Sequence, residues 1–250
     1  MTYLLAGILT LPITAVLTIA GVGAAFVLIP VFTALGIELH QAMAIALLLN
    51  ALAMISATFR YGRKKLVLWK LSIPLIVTTS IGAPIGVRLG YSISNDVISI
   101  VFICFLVFAA IMILFSKSRS EGSEGKHELS VWRSVLAGAA GLFVGVLAGL
   151  IGVGGGNIIL PVLIALGIQP REAVGTTAAV VGAASLSGFV GHLGIGSLDG
   201  VLIAVTAVAS IVGALVGSWL MTDKLKPGII KKILGVVLIA VAIKMIVSLI

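Results

Sequence analysis

The sequence has very few of the residues on which soluble and disulfide-bonded proteins depend. Cys104 is the only cysteine among 250 residues, which excludes an intramolecular disulfide and a cysteine-based metal cluster. Charged residues make up only 10% of the chain, whereas hydrophobic residues make up 60%. No soluble domain of this length has such a balance. The composition therefore predicts an integral membrane protein that is almost entirely embedded.

Acidic residues are scarce, and all of them fall in or beside predicted loops. They are Glu38, Asp96, Glu121, Glu124, Glu128, Glu172, Asp199 and Asp223. We therefore expect no carboxylate in the middle of the membrane to act as a proton relay. Ser185, Ser187 and His192 raise the alternative of an intramembrane protease, but they share one short helical segment with few polar neighbours. The sequence predicts no enzyme, no metal site and no cofactor.

The basic residues lie beside the apolar runs. A net charge of +8 would suggest nucleic acid as the partner of a soluble protein. Here the position of the charges indicates membrane topology and lipid contact instead, so no nucleic-acid partner is expected. No basic residue precedes the first apolar run, so we expect no cleaved signal peptide. Apolar runs of helical length predict a multi-pass α-helical protein of the cell membrane.

One glycine-rich stretch stands in the middle of a long apolar run. Residues 152–161 read GVGGGNIILP, and the run extends over residues 135–166, whereas one membrane helix needs roughly 20 residues. Each glycine costs roughly 1 kcal/mol relative to alanine in a helix, so the helix should break here. We expect a new helix to begin at Asn157. Its free N–H groups would form an anion site made of backbone.

The same stretch occurs earlier in a weaker form. Residues 21–30 read GVGAAFVLIP, and residue i of this segment matches residue i + 131. The register continues without a gap, because Gly82 matches Gly213 and Gly86 matches Gly217. The chain is therefore predicted to be an internal duplication.

Each half is predicted to contain a glycine-broken hairpin, with arms too short to span comfortably, followed by three transmembrane helices. The predicted helices cover residues 42–59, 66–89 and 97–115 in the first half, and 171–191, 198–221 and 229–248 in the second. The first broken run, residues 4–35, is also interrupted by Pro12. A hydrophilic cytoplasmic linker, residues 116–133, separates a first membrane repeat, 1–115, from a second, 134–250.

The basic loops indicate how the two halves are oriented. In the first half the basic loop follows the helix that contains Asn50, at residues 60–70. In the second half it comes one helix later, at residues 224–232. Because Lys and Arg concentrate in cytoplasmic loops, this shift predicts two repeats of inverted topology. Transporters built in this way bind substrate near the midplane, at broken helices.

Several residues could line such a site, and each has a purely structural alternative. The glycines could serve helix packing, Asn157 could cap its helix, and Asn50 could join helices in mid-membrane. A threonine can bond its own backbone, and an arginine near a helix end can snorkel. The candidate substrate-binding residues are Gly21, Gly23, Asn50, Gly152, Gly154, Gly155, Gly156, Asn157, Arg171, Thr176 and Thr177.

The glycine string at residues 152–161, the AVGTT sequence at 173–177 and the first-half echo resemble the TauE/SafE family of sulfite and organosulfonate exporters, also called the toluene-sulfonate uptake permease family. The resemblance covers nearly the whole chain. It implies transport of a small sulfur-containing anion such as sulfite, sulfoacetate or another sulfonate. Ala24 and Ala25 replace glycines in the first half, and residues 44–46 read AIA where the second half has GTT. The second half is therefore the better candidate for ligand contacts.

Composition and spacing alone predict a small-anion permease in a lipid bilayer. Two alternatives remain open from the sequence, namely a channel-like uncoupled permease and a non-transporting membrane scaffold. The short loops count against the scaffold. The sequence also leaves homodimerisation open.

Overall fold

The computed structural model describes residues 2–90, 141–150, 154–192, 198–225 and residue 229. These residues form helices, and short turns join the helices that follow one another within a described range. They are α1 (Thr2–Ala20), α2 (Ala25–Ala34), α3 (Leu39–Arg63), α4 (Trp69–Gly90), the described part of α5 (Gly141–Leu150), α6 (Gly156–Ala165), α7 (Pro170–Gly191) and α8 (Gly200–Trp219), which a π-helical turn, Leu220–Lys224, continues. The predicted helix at 97–115 and the linker lie outside the described residues, as does the helix at 229–248 apart from residue 229.

Five of the described helices are long and apolar enough to cross a membrane. These spans are Tyr3–Ala20, His40–Arg63, Trp69–Gly90, Pro170–Gly191 and Gly200–Lys224. An all-helical, multi-pass membrane protein is thereby confirmed for the described part of the chain. Helix α3 begins before and ends after the predicted range 42–59, because its first and last turns contain polar residues that a hydropathy pattern does not include.

Two expectations about the first broken run are wrong. Pro12 does not interrupt it, because α1 continues through this residue to Ala20. A proline is tolerated within a membrane helix where neighbouring groups satisfy the freed backbone. The second wrong expectation is that both arms of the hairpin are too short to span. By length and composition α1 can cross a membrane, and only the arm after the glycines, α2, is short, with 10 residues.

Both glycine stretches break the helix, as the sequence predicts. Gly21 and Gly23 have φ angles of +69° and +80°, and Gly154 and Gly155 have φ angles of +75° and +77°. These left-handed conformations are readily adopted only by glycine. The helix after the second break begins at Gly156, one residue before the predicted start.

The start of α1 and the end of α2 lie close together. Tyr3, near the start of α1, lines a cavity of about 510 Å³ with Gly36 and Ile37, which follow α2. Helix α2 packs against α3. The chain therefore leaves one end of the bundle along α1, turns at the first break and returns to the same end along α2.

Matched helices of the two halves pack against each other in opposite directions. Along α7, a Cβ added at Gly175, Gly182 or Gly188 would meet Leu66, Ile55 or Leu47 of the first half, respectively. From position 175 to position 188 along α7, the neighbouring residue in the first half changes from 66 to 47, that is, back towards the start of α3. The central pair α3 and α7 is therefore antiparallel.

Two further helix pairs, α4 with α5 and α1 with α8, also join the two halves, and glycines allow their close approach. On α4, a Cβ at Gly82 would lie 2.6 Å from the carbonyl oxygen of Leu142, and on α8 a Cβ at Gly213 would lie 2.5 Å from that of Leu11. Gly82 and Gly213 are 131 positions apart in the sequence, and so are the residues beside them, Leu11 and Leu142. Thus α5 packs along α4 just as α1 packs along α8, which is the packing role expected of small residues between membrane helices.

Candidate substrate site

The two helix breaks, residues 21–24 (first break) and 154–155 (the described part of the second break), come together in the interior. A Cβ at Gly156, where α6 starts, would lie 2.7 Å from Cα of Val22 in the first break. A Cβ at Gly21 would lie 2.8 Å from a methyl group of Val174 on α7. The bends of the two halves therefore contact one another as well as α7.

Asn50 is the polar residue that ties this meeting point together. Its Oδ1 accepts a hydrogen bond from the backbone N–H of Ala24 at 2.7 Å, and its Nδ2 donates to Oγ of Ser185 at 2.8 Å. Asn50 and Ser185 are both fully buried. A buried amide is costly without partners, and these two bonds provide them. Asn50 thus joins the first break to α7, which is the structural role foreseen for it.

Gly23 and Gly154 leave room for this pair. A Cβ at Gly23 would overlap the amide of Asn50, and a Cβ at Gly154 would overlap the hydroxyl of Ser185. These glycines are needed both for their backbone angles and for the polar side chains beside them.

The starts of α2 and α6 differ in how their backbone N–H groups are satisfied. The first N–H groups of any helix lack partners within the helix. At α2, Asn50 accepts from Ala24. The residue that matches Asn50 through the offset of 131 is Val181, which has no acceptor. No described residue accepts from the N–H groups of residues 155–157, and the same holds for Ala25 and Phe26 at the start of α2. The two starts therefore differ only at the N–H of Ala24, which Asn50 accepts.

Thr177 and Thr176 have different surroundings. Oγ1 of Thr176 accepts a bond from the N–H of Leu68 at 3.0 Å, outside the cluster around Asn50. Thr177 is fully buried, and its hydroxyl has no hydrogen-bond partner among the described residues. It follows Val174 by three residues and precedes Val181 by four, so all three lie on one face of α7. That face is the one against the breaks.

Arg171 lies away from this centre. It is the second residue of α7, and its guanidinium donates to the carbonyl oxygen of Leu225 at one end of the bundle. The geometry keeps it outside the Asn50 cluster. Gly152 lies outside the described residues, and only the backbone of Asn157 is described.

The surroundings of Gly155, a candidate substrate-binding residue, and of Ser185, which is not among the candidates, could not be predicted from the sequence. Gly155 has its missing Cβ directed at α5, because a Cβ there would lie 3.1 Å from that of Ala148 and 3.2 Å from Val144. Ser185 contacts both Asn50 and the second break, although no motif marks it. The spacing of Thr177, Val181 and Ser185, four residues apart on one helix, is the signal that could have identified it.

The two ends of the bundle differ in charge. At one end Arg60 and Lys64 of α3 both bond to Asp223 in the turn after α8. At the other end the hydroxyl of Tyr3 donates to Asp199 at 2.6 Å, and this bond is the main cause that holds the pKa of the Asp199 carboxyl below its usual range. The described ion pairs of lysine and arginine are thus confined to one end.

The architecture defines the class of the protein. It is a multi-pass helical membrane protein in which two broken helices meet at a buried polar cluster. A family model described as sulfite exporter TauE/SafE matches residues 3–245, and the chain belongs to this family. It is a membrane transporter rather than an enzyme, as its relatives are.

Relatives in bacteria carry the same general description. The chain is 27% identical over 200 residues to the probable membrane transporter protein YdhB of Bacillus subtilis, with 78% of this chain and 80% of the relative covered. It is 24% identical over 254 residues to YunE of the same organism, with 92% of each chain covered. Over a shorter match of 114 residues, covering 44% of this chain and 45% of the relative, it is 39% identical to YjnA. No solved structure matches the chain significantly.

Proposed function

We propose that this protein carries a small sulfur-containing oxyanion, such as sulfite, sulfoacetate or another organosulfonate, across the cell membrane. The observation that carries the proposal is the meeting of two helix breaks around Asn50, where the start of α6 has N–H groups free of described partners. The description of the matched family as a sulfite exporter supports the choice of substrate.

A site of this kind suits an anion in a membrane. A helix N-terminus contributes roughly 0.3–1 kcal/mol to an exposed charge and up to about 2 kcal/mol in a partly buried setting. Several such N–H bonds together give affinities in the micromolar to millimolar range without a buried cation. The cluster around Asn50 contains no charged residue among those described. Affinity of that order lets the substrate both enter and leave.

The proposal includes two repeats of inverted topology, each beginning with a broken hairpin. Supporting it, α3 and α7 match through the offset of 131 yet run antiparallel. A two-fold relation between antiparallel spanning helices has its axis in the membrane plane, which is the arrangement of many secondary transporters. The first hairpin then enters the membrane from one side and the second from the other.

The distribution of charge supports the same topology. Arg60, Lys64 and Lys224 lie at one end of the bundle with Arg171, although they come from different halves. Positive residues concentrate on the cytoplasmic side. We therefore assign this basic end to the cytoplasm and the end with Tyr3 and Asp199 to the outside.

Proteoliposome flux tests the proposal. Purified protein in vesicles should move labelled sulfite or sulfoacetate with a rate that saturates as the anion concentration rises. Empty vesicles are the control for leakage. Flux that rises linearly without saturation would indicate a channel instead, and an absence of flux for both anions and for sulfate would contradict the transport proposal.

A further inference from the structure

Two exposed pairs of a cation and an aromatic ring lie at the basic end of the bundle. On α3 the guanidinium carbon of Arg63 is 4.2 Å from the ring centre of Phe59, and after α8 the ammonium of Lys224 is 5.4 Å from that of Trp219. Phe59 is 65% exposed and Trp219 is 41% exposed. Neither cation forms an ion pair with a carboxylate among the described residues. Because a ring holds a cation from one side, the N–H groups on the outer side remain available to an anion.

The position of these pairs along their helices matches the boundary of a membrane. Two of the candidate spans end at Arg63 and Lys224. Phe59 and Trp219 precede these ends by about one turn, which is roughly 6–8 Å at 1.5 Å per residue. Each cation is therefore at the level of the lipid headgroups. Each ring lies just inside it, at the interfacial depth where aromatic residues are enriched.

The surface between the two pairs is also positive. Arg60 and Lys64 of α3 share the carboxylate of Asp223 in the turn after α8. These bonds hold the end of α3 against that turn, so the two pairs belong to one surface. With Arg63 and Lys224 included, four cations face one carboxylate, a net charge of +3. Basic clusters at the end of a spanning helix attract anionic lipids.

We propose that this surface binds the headgroup of an anionic phospholipid such as phosphatidylglycerol. The phosphate contacts Arg63 and Lys224, and the glycerol and the first acyl carbons pack on Phe59 and Trp219. A phospholipid presents its charge and its apolar part in this order of depth, whereas a free phosphate has no apolar part for the rings. The inference is separate from the transport proposal, because it concerns the lipid-facing surface rather than the helix breaks.

The opposite end of the bundle provides a matched control. Arg88 is exposed near the end of α4. Its neighbour Val87 would lie 3.5 Å from a Cβ at Gly191, the last residue of α7, so Arg88 is far from the basic end. Among the described residues, no ring lies against its guanidinium. Arg88→Gln therefore removes the same charge as Arg63→Gln without removing a stacked pair.

Native mass spectrometry of the detergent-purified protein tests the site, because it counts the bound lipids at each lipid concentration. Dioleoylphosphatidylglycerol should bind at least about fivefold more tightly than dioleoylphosphatidylcholine. Arg63→Gln and Lys224→Gln should each weaken phosphatidylglycerol binding about fivefold, the effect typical of one Lys or Arg near an anionic surface. The double variant should weaken it further. Arg63→Lys, which keeps the charge, should retain most of the affinity, and Arg88→Gln should bind as the wild type does.

The substituted side chains are all exposed, so each variant should elute as a monodisperse peak with the melting temperature of the wild type in detergent alone. Equal affinity for the two lipids would overturn the inference, as would unchanged phosphatidylglycerol binding in the double variant. Equal losses in Arg63→Gln and Arg88→Gln would also overturn it, because binding would then follow net charge rather than this surface. A melting temperature that inorganic phosphate raises as much as phosphatidylglycerol does would contradict the choice of a lipid.

Discussion

At the scale of single residues, Gly154 and Gly36 separate two effects that a change from glycine to alanine usually combines. Both have positive φ angles, +75° and +87°, but a Cβ at Gly36 would meet nothing within 4 Å, whereas one at Gly154 would overlap Ser185. Gly36→Ala should therefore lower the free energy of unfolding by about 1–2 kcal/mol from backbone strain alone. Gly154→Ala should add about 1–3 kcal/mol from overpacking. Unfolding of both variants in a mixed-micelle SDS titration measures the difference, and equal losses would mean that the hydroxyl moves aside freely.

Also at this scale, His192 gives the protein a dependence on pH. It is buried at the end of α7, where its Nδ1 lies 3.0 Å from the carbonyl oxygen of Gly188, and burial lowers the pKa of its imidazole below the ordinary value of 6.5. Because the folded pKa is below the unfolded one, the unfolded chain binds more protons as pH falls through 6.5. The melting temperature should therefore drop from pH 8 to pH 5, and less steeply in His192→Gln. Parallel pH profiles for the two proteins would contradict this role.

At the scale of helices, the proposed duplication predicts that substitutions at matched glycines lower the stability by similar amounts. A Cβ at Gly86 would overlap the carbonyl oxygen of Val146 on α5, and one at Gly217 would overlap that of Ala15 on α1. Gly86→Ala and Gly217→Ala should each lower the free energy of unfolding by about 1–3 kcal/mol, because neither backbone oxygen can move alone. Gly200→Ala, where a Cβ meets nothing within 4 Å, is the control. A large loss in only one of the pair would mean that the two helix pairs do not pack equivalently.

The sequence predicts these helices well and their contacts poorly. Apolar length identifies the spans, and consecutive glycines identify the breaks, because both are local properties of the chain. The passage of α1 through Pro12 depends on neighbouring groups, so local rules misjudge it. The part played by Ser185 depends on the antiparallel pairing of α3 and α7, which brings it to Asn50 from 135 positions away. Such a pairing has no local signature.

At the scale of the whole molecule, the charge distribution and the antiparallel central pair address the same question of orientation. Glu38 and Gln169 are matched through the offset of 131, and each is the residue before its helix, with φ and ψ of −58° and 141°. Both are exposed. Inverted repeats would place two such equivalent residues on opposite sides of the membrane, whereas parallel repeats would place them on the same side.

Single cysteines at these two positions test the orientation in a background where Cys104 is replaced by serine. In intact cells, a membrane-impermeant maleimide should label Glu38→Cys from outside and should label Gln169→Cys only after the membrane is permeabilised. Gly200→Cys and Arg63→Cys serve as internal references, because the first lies at the end with Glu38 and the second at the basic end with Gln169. Each test variant should behave as its reference does. Labelling of Glu38→Cys and Gln169→Cys from the same side would exclude inverted repeats, since no spanning arrangement with antiparallel α3 and α7 places both residues on one face.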